Sequence, residues 1–289
     1  WCLLFIFKKE KKMIIWLASY PKSGNTLLRS ILASYSYSKE GILNFNDTYK
    51  IQQFPAIQHF KNLNLDLTNE KEIYENFIEA QRFINIDKKI KFMKTHSSLA
   101  RINNCNFTDL NNSLGAIYIV RDPRNVVTSF AHHYNLGVDE TIKVMTDPKR
   151  WLVKTDLIYK TFLGSWSINY NSWKQMKSRV LIIKYEDLVN KKKTTLLKIF
   201  KFIKKIGFPD FEVDMLKLNK VIKTSEFKNM QVLEKKEDFK EAVIDPNSKT
   251  RRVFFKFGPK NDWKRILNKE SKEKIEKAFS KEMEELGYL

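Results

Sequence analysis

The segment that most constrains the fold is a short apolar run, residues 14–19. It leads through Tyr-Pro-Lys-Ser-Gly-Asn into a helical pattern that starts at Thr26. The run is typical of a buried strand, and the apolar spacing after it is typical of a helix. A tight loop between a strand and a helix presents backbone N–H groups and the positive end of the helix dipole. Lys22 adds a point charge there, and Gly24 permits close approach of a ligand. The sequence therefore predicts an anion-binding strand–loop–helix unit.

Three further apolar runs predict strands over residues 90–94, 115–120 and 180–183. The helical patterns lie at residues 73–84, after the N-cap candidate Asp122, at 191–206 and at 269–286. Because short apolar strands alternate with helices, we expect a mostly parallel sheet that is covered on both faces. The predicted fold class is α/β, as a single domain with a P-loop-like strand–loop–helix unit. In such sheets ligands bind beyond the carboxyl ends of the strands.

The composition excludes several other classes of protein. Hydrophobic residues make up 43% of the 289 residues and aromatic residues 13%, which supports a large core and argues against disorder. The two cysteines, Cys2 and Cys105, are too few for a disulfide scaffold. No apolar run reaches the roughly 20 residues that a membrane-spanning helix needs. We therefore expect a cytoplasmic protein, and the richness in Lys, Asn and Ile, typical of AT-rich genomes, favours a bacterial one.

The strong basic charge leaves more than one class of partner open. The chain carries 53 basic and 33 acidic residues, a net charge of +20. Such a surface suits nucleic acid, membranes, heparin-like polymers or a nucleotide. Scattered lysines also serve merely to solvate a surface, so the charge alone assigns no function. A non-catalytic protein that binds polyanions remains one alternative.

The loop after the first strand is not the phosphate loop of nucleoside triphosphatases. It lacks the pattern G-x-x-x-x-G-K-[ST], because Lys22 precedes Gly24 and no glycine stands before it at the required spacing. The cysteines, histidines and acidic residues form no spacing typical of zinc or magnesium sites. We therefore expect no metal, and a nucleotide-dependent phosphoryl transferase is the weaker enzymatic alternative.

The same loop resembles the 5′-phosphosulfate loop of sulfotransferases that use 3′-phosphoadenosine 5′-phosphosulfate (PAPS), in which the pattern is Y-P-K-S-G-T-T/N. The resemblance continues in order over residues 13–289. It implies that the loop holds the 5′ end of the donor with Lys22, Ser23, Gly24, Asn25 and Thr26.

Two further motifs resemble the 3′-phosphate site of this family. Arg121 and Ser129 keep the family's eight-residue spacing between two phosphate ligands, and the guanidinium fork of arginine matches phosphate oxygens. Residues 255–264 are similar to the signature R-K-G-x-x-G-D-W-K, which implies phosphate contacts from Lys256 and Gly258. The segment departs from the signature at three places, since Lys256 replaces the arginine, Phe257 the lysine and Asn261 the second glycine. It therefore carries one cation fewer.

Weaker similarities suggest the remaining site residues. Tyr185 resembles the family tyrosine that contacts adenine, and Phe227 the aromatic residue that stacks on it. The sequence Lys-Thr-His that ends at His96 resembles a family segment whose histidine is the general base and whose lysine, here Lys94, helps to hold the sulfonate. Histidine suits this task because its ordinary pKa lies near neutrality.

The resemblance implies in-line transfer of a sulfuryl group from PAPS to a hydroxyl or amine acceptor. The catalytic residues would be His96, Lys22 and Lys94, and 3′-phosphoadenosine 5′-phosphate (PAP) would be the product. The acceptor stays open among small molecules, lipids and glycans, because the expected pocket loops, 39–69, 97–112 and 133–165, are of mixed composition. We expect no physiological nucleic-acid partner, and a homodimer stays open.

Two segments are distinguished along the chain. Residues 13–289 are predicted to form the sulfotransferase domain. Residues 1–12 are expected to be a non-native or disordered tail, either an upstream translation artefact or the stump of a longer leader.

Overall fold

Four parallel strands form the central sheet in the computed structural model, which describes residues 13–237, 239–244 and 249–289. The expectation for residues 1–12 lies outside these ranges. The strands are β1 (Ile14–Ala18), β2 (Lys91–Thr95), β3 (Arg101–Ile102), β4 (Cys105–Asn106), β5 (Ser113–Val120), β6 (Trp151–Leu152), β7 (Thr161–Phe162) and β8 (Val180–Lys184). The sheet has the order β2-β1-β5-β8, while β3 with β4 and β6 with β7 form two small antiparallel pairs.

The strand order places the ligand crevice between β1 and β5. The chain moves from β1 to its neighbour β2 and then crosses back to β5 on the other side of β1. Such a reversal separates the loops that leave the two adjacent strands and opens a crevice at their carboxyl ends. The segments that follow β1 and β5 are the two strongest motifs of the sequence, so the topology brings them together.

Twelve α-helices surround the sheet in the described part of the chain. They are α1 (Asn25–Tyr37), α2 (Phe45–Lys50), α3 (Glu70–Glu75), α4 (Phe77–Ile84), α5 (Pro123–Tyr134), α6 (Val138–Thr146), α7 (Trp166–Lys174), α8 (Tyr185–Asn190), α9 (Lys192–Gly207), α10 (Met215–Thr224), α11 (Phe227–Lys236) and α12 (Lys269–Glu285). Short 3₁₀ turns lie at Ile57–His59, Lys177–Arg179, Gly258–Lys260 and Trp263–Arg265.

Alternating side chains of the strands supply the two faces of the core. Ile14 and Trp16 of β1 pack into a cluster on one face of the sheet, and Ile15 and Leu17 pack into a second cluster on the other face. All five residues of β1 are buried. This is the arrangement expected of a central parallel strand, because helices cover both faces and remove the need for a polar side.

The predicted fold class and the four predicted strands are confirmed. Asp122 caps α5 as expected, since its side chain accepts a hydrogen bond from the backbone N–H of Arg124. The pattern over residues 73–84 predicted one helix, but the structure has two, α3 and α4. They are separated at Asn76, whose side-chain amide donates to the carbonyl of Glu72. A polar side chain that competes for backbone groups in this way favours a break in a helix.

Candidate active site

A cavity of about 580 Å³ lies at the carboxyl ends of the central strands. Most of the residues predicted from the sequence line it: Lys22, Gly24, Asn25, Thr26, Lys94, His96, Arg121, Ser129, Tyr185, Phe227 and Gly258. Ser23 and Lys256 do not. Ser23 is buried behind the loop, where its N–H donates to the carbonyl of Tyr20, and the side chain of Lys256 is exposed. Their roles as ligands of the donor stay predictions.

The loop after β1 has the conformation that its glycine allows. Gly24 is the N-cap of α1 and has a φ of 100°, and a Cβ there would lie 2.4 Å from Cδ2 of Tyr185. Only glycine fits, because any side chain would meet the ring and would also be strained. No side chain caps this end of α1, so its first turn is left to bind an external acceptor.

The ammonium group of Lys22 lies inside the cavity against an aromatic ring. It is 3.6 Å from the centre of the Phe254 ring, which attracts a cation through its negative face. Burial, together with the positive charges of Arg121 and Lys94, lowers the pKa of Lys22 to about 7, although Glu241 opposes the shift. Lys22 is therefore a cation that an incoming anion would stabilise strongly.

Arg121 follows β5 and is 6% exposed. One of its terminal nitrogens donates to the carbonyl of Lys22 over 3.1 Å, and the guanidinium lies 4.3 Å from the centre of the Tyr185 ring. Its Nε has no hydrogen-bond partner among the residues that the structure describes. A buried N–H without an acceptor is unfavourable, so this group is suited to an anionic ligand.

His96 follows β2, and its ring orientation is fixed by β1. Nδ1 lies 3.0 Å from the carbonyl oxygen and 3.2 Å from the hydroxyl of Ser19. Because a carbonyl oxygen only accepts hydrogen bonds, this contact favours the tautomer with the proton on Nδ1, in which Nε2 has the lone pair. Burial and the nearby charge of Lys94 lower the pKa of His96 to about 3, which keeps the ring neutral at physiological pH.

A buried ion-pair cluster occupies the cavity beside His96. The carboxylate of Glu241 accepts hydrogen bonds from Thr26 Oγ1 at 2.6 Å, Arg29 at 2.5 Å and Lys94 Nζ at 2.9 Å. Arg29 also donates to the carbonyl of Ile51. Burial alone would raise the pKa of Glu241, but Lys94, Arg29 and the Thr26 hydroxyl together hold it well below its usual range.

Sequence reasoning did not identify Arg29 and Glu241. Arg29 stands three residues after Thr26. On a helix this spacing places both side chains on one face, and it is the sequence signal that could have identified Arg29. Nothing marks Glu241 in the sequence, because it lies in a turn after α11 and reaches the cluster through tertiary folding.

Phe227 and Gly258 lie against each other in the wall of the cavity. Gly258 has a φ of 50°, and a Cβ there would lie 2.1 Å from Cε2 of Phe227. The close packing of glycine on the ring holds Phe227 at the cavity wall, where a flat ligand is expected to stack. The Tyr185 ring lines the same cavity.

The remaining wall of the cavity is mostly apolar. Among the three loops predicted to form an acceptor pocket, 133–165 contributes the largest number of lining residues, including Leu152, Val153, Ile158 and Tyr159. The loop 39–69 supplies Gln53, and the loop 97–112 supplies none of the lining residues.

Neither a metal-ligand cluster nor a membrane-spanning helix lies in the described ranges. No group of three or more histidine, cysteine or acidic side chains there is suited to hold a metal ion. Among the described helices, none is long and apolar enough to cross a membrane.

Comparison with known proteins places this site in a family. Residues 13–287 match the model of the sulfotransferase domain. The 3-beta-hydroxysteroid sulfotransferase of Cavia porcellus is 24% identical over 284 residues, which cover 96% of this chain and 85% of the relative. Cytosolic sulfotransferase 13 of Arabidopsis thaliana is 24% identical over 274 residues, which cover 93% and 76% of the two chains.

Solved structures share the fold at lower identity. A mouse sulfotransferase in complex with PAP has a TM-score of 0.56 and 19% identity, over 94% of this chain and 84% of the other. Retinol dehydratase in complex with retinol and PAP has a TM-score of 0.58 and 16% identity, over 93% and 81%. From the family match and the shared fold together, the chain belongs to the sulfotransferase family of enzymes.

Proposed function

We propose that the protein transfers a sulfuryl group from PAPS to a hydroxyl or amine acceptor, with His96 as the general base. One observation carries this proposal: His96 lines the same cavity as Lys22, Lys94 and Arg121, and its Nδ1 is engaged by the Ser19 carbonyl, which leaves Nε2 for an acceptor. The lowered pKa makes His96 a weak base in the free protein. A bound anionic donor would offset the charges of Lys22 and Lys94 and raise this pKa toward neutrality, where a general base works best.

The described residues fit the donor. The first turn of α1 and Lys22 would hold the 5′ end, since both attract anions without a metal. Arg121 has a buried Nε to offer to the 3′-phosphate, and Ser129 lines the cavity eight residues along the same segment. Tyr185 and Phe227 line the cavity with rings that suit a purine.

The catalytic residues divide the work by charge. With the donor bound, the acceptor oxygen or nitrogen bonds to sulfur while the bridging S–O bond breaks and PAP leaves with the electron pair. His96 takes the acceptor proton on Nε2, and Ser19 stabilises the resulting imidazolium through Nδ1. Lys22 lies on the loop expected to hold the leaving phosphate and neutralises its growing charge. Lys94, which lines the cavity, would hold the sulfonate.

The acceptor is proposed to be a small molecule. This is supported by the apolar lining from Leu152, Val153, Ile158 and Tyr159, which is typical of sites for small molecules. Relatives named after a hydroxysteroid and crystallised with retinol have acceptors or ligands of this kind. From the sequence we also propose a cytoplasmic location and a bacterial origin. Lipid and glycan acceptors and a homodimer stay open.

The test is transfer of a labelled sulfuryl group from PAPS to a panel of phenols, steroid alcohols and aryl amines. The proposal predicts a sulfated product and PAP in equal amounts, without added metal. Phosphoryl transfer from ATP in the presence of Mg²⁺, with no sulfated product from any acceptor, would support the kinase-like alternative instead.

A further inference from the structure

Glu241 places a negative charge where the donor is expected to place its own. Its side chain is 17% exposed and meets Lys94 and Arg29, which are each 6% exposed. Thr26, Lys94 and Glu241 all line the cavity that holds Lys22 and His96. The carboxylate therefore lies among the residues proposed to bind the 5′ end of PAPS.

The Thr26 hydroxyl can donate either to Glu241 or to a bound anion, but not to both at once. A hydroxyl has one hydrogen to donate, and Thr26 gives it to Glu241 over 2.6 Å. The side chain of Thr26 donates to a phosphate or sulfonate oxygen only after this bond is broken. Lys94 keeps further N–H donors, but an anion bound to it beside Glu241 would be repelled by the carboxylate.

The segment that carries Glu241 is held at its flanks. Phe239 is buried beside Phe45 and Phe255, and the N–H of Lys240 donates to the hydroxyl of Tyr49. On the other side, the N–H of Arg252 donates to the carbonyl of Val243. Anchoring at both flanks leaves the Glu241 side chain to move by rotation, without unfolding of the segment.

We propose that Glu241 is an internal anion that competes with the donor for Thr26 and Lys94. It neutralises Lys94 and Arg29 when no nucleotide is bound and gives way when a 5′-phosphate or phosphosulfate enters. This inference rests on the proposed function. Its consequence is weaker binding of every nucleotide with an anion at the 5′ position, and hence faster release of PAP.

Isothermal titration of PAP and of adenosine 3′-phosphate tests the inference. The variants are Glu241→Gln and the control Glu237→Gln. The control removes the same charge from the same segment, but its carboxylate accepts from the N–H of Phe45 and does not line the cavity. We expect Glu241→Gln to bind PAP at least about tenfold more tightly than wild type, since a like charge next to the phosphate is removed. Adenosine 3′-phosphate, which has no 5′ anion, should bind both variants as it binds wild type.

Several outcomes overturn the inference. Weaker PAP binding by Glu241→Gln would mean that the carboxylate positions Lys94 for the donor, and equal binding by the two variants would mean that Glu241 does not compete. Tighter binding of both nucleotides would show a general charge effect. If wild type binds no PAP at all, the proposed function itself fails, whereas normal PAP binding without an effect of Glu241 removes only this inference.

A second variant guards against misfolding of the first. Glu241→Asp keeps the charge that compensates Lys94 and Arg29 but retracts the carboxylate by about 1.5 Å, one C–C bond. It should fold and tighten PAP binding less than Glu241→Gln does. Weaker binding of PAP by Glu241→Asp would contradict the competition.

Discussion

The candidate site consists of two halves that are held in place by different means. The strand-end half comprises residues 20–26, 94–96 and 121–129, which follow β1, β2 and β5 directly. The carboxy-terminal half comprises the described residues between 225 and 258, including Phe227, Glu241 and Phe254, and contacts the rest through side chains such as that of Glu241. Backbone pairing between neighbouring strands fixes the first half, whereas the second depends on individual ion pairs and ring contacts.

The difference bears on which substitutions should change the reaction rate and which should change the affinity for the nucleotide. The proposed base and cations lie on rigid strand ends, where a small error in position would reduce the rate most. The carboxy-terminal half provides an aromatic wall and the Glu241 carboxylate, which are proposed to affect how tightly a nucleotide is held. Substitution of the proposed base in the strand-end half should therefore change the rate without the affinity, whereas substitutions in the carboxy-terminal half should change the affinity.

The largest effect should come from His96. We expect His96→Ala to reduce the transfer rate by about 10²–10⁴-fold, because the acceptor proton loses its base, while PAP affinity stays near that of wild type. Single-turnover assays and calorimetry measure the two quantities. His59→Ala is the control, since His59 lies outside the cavity lining. Normal turnover of His96→Ala would remove His96 from the mechanism.

Substitution of two glycines, one in each half, should have the next largest effect. Gly24→Ala and Gly258→Ala would place a Cβ 2.4 Å from Tyr185 and 2.1 Å from Phe227, in addition to backbone strain of about 1–2 kcal/mol. We expect at least about tenfold weaker PAP binding in each, since about 1.4 kcal/mol corresponds to a factor of ten. Gly137→Ala is the control, because a Cβ there meets nothing within 4 Å. An unchanged affinity in either variant would mean that its ring does not shape the nucleotide site.

The pH dependence of binding tests the contact between the halves, where Lys22 lies on Phe254. With a pKa of about 7, the unbound Lys22 loses its charge as the pH rises from 7 to 9, so an anion must bring a proton with it. PAP affinity should fall by up to about tenfold per pH unit over this range, with proton uptake measurable by calorimetry in different buffers. Lys22→Arg should abolish the slope, because arginine stays charged. A flat profile in wild type would show that Lys22 does not meet the phosphate.

The smallest effect concerns the attachment of the carboxy-terminal half. Glu234 accepts hydrogen bonds from the N–H groups of Phe254 at 2.5 Å and Phe255 at 3.0 Å. Glu234→Gln keeps one acceptor and leaves one N–H unpaired, at a cost of about 1–3 kcal/mol. We expect the Tm to fall by about 2–4 °C per kcal/mol in thermal unfolding. The control is Glu212→Gln, at an exposed position outside the helices and strands, which should leave the Tm unchanged. An equal Tm in both variants would contradict the role of Glu234.

The two halves also differ in how far the sequence predicts them. The strand-end half was predictable because Lys22, His96 and Arg121 each follow an apolar run, and the carboxyl ends of parallel strands share one edge. Phe227 and Gly258 were predicted only through family resemblance. Arg29 and Glu241 were missed, since their pairing joins α1 to a turn more than 200 residues away, and no local pattern encodes it.

The central claim is that this cavity is a site for PAPS, and calorimetric titration with PAP, with ATP as the control, tests it most directly. The account predicts tight binding of PAP, much weaker binding of ATP, and a sharp loss of PAP affinity in Arg121→Ala. Absence of PAP binding, or a preference for ATP with Mg²⁺, would contradict it.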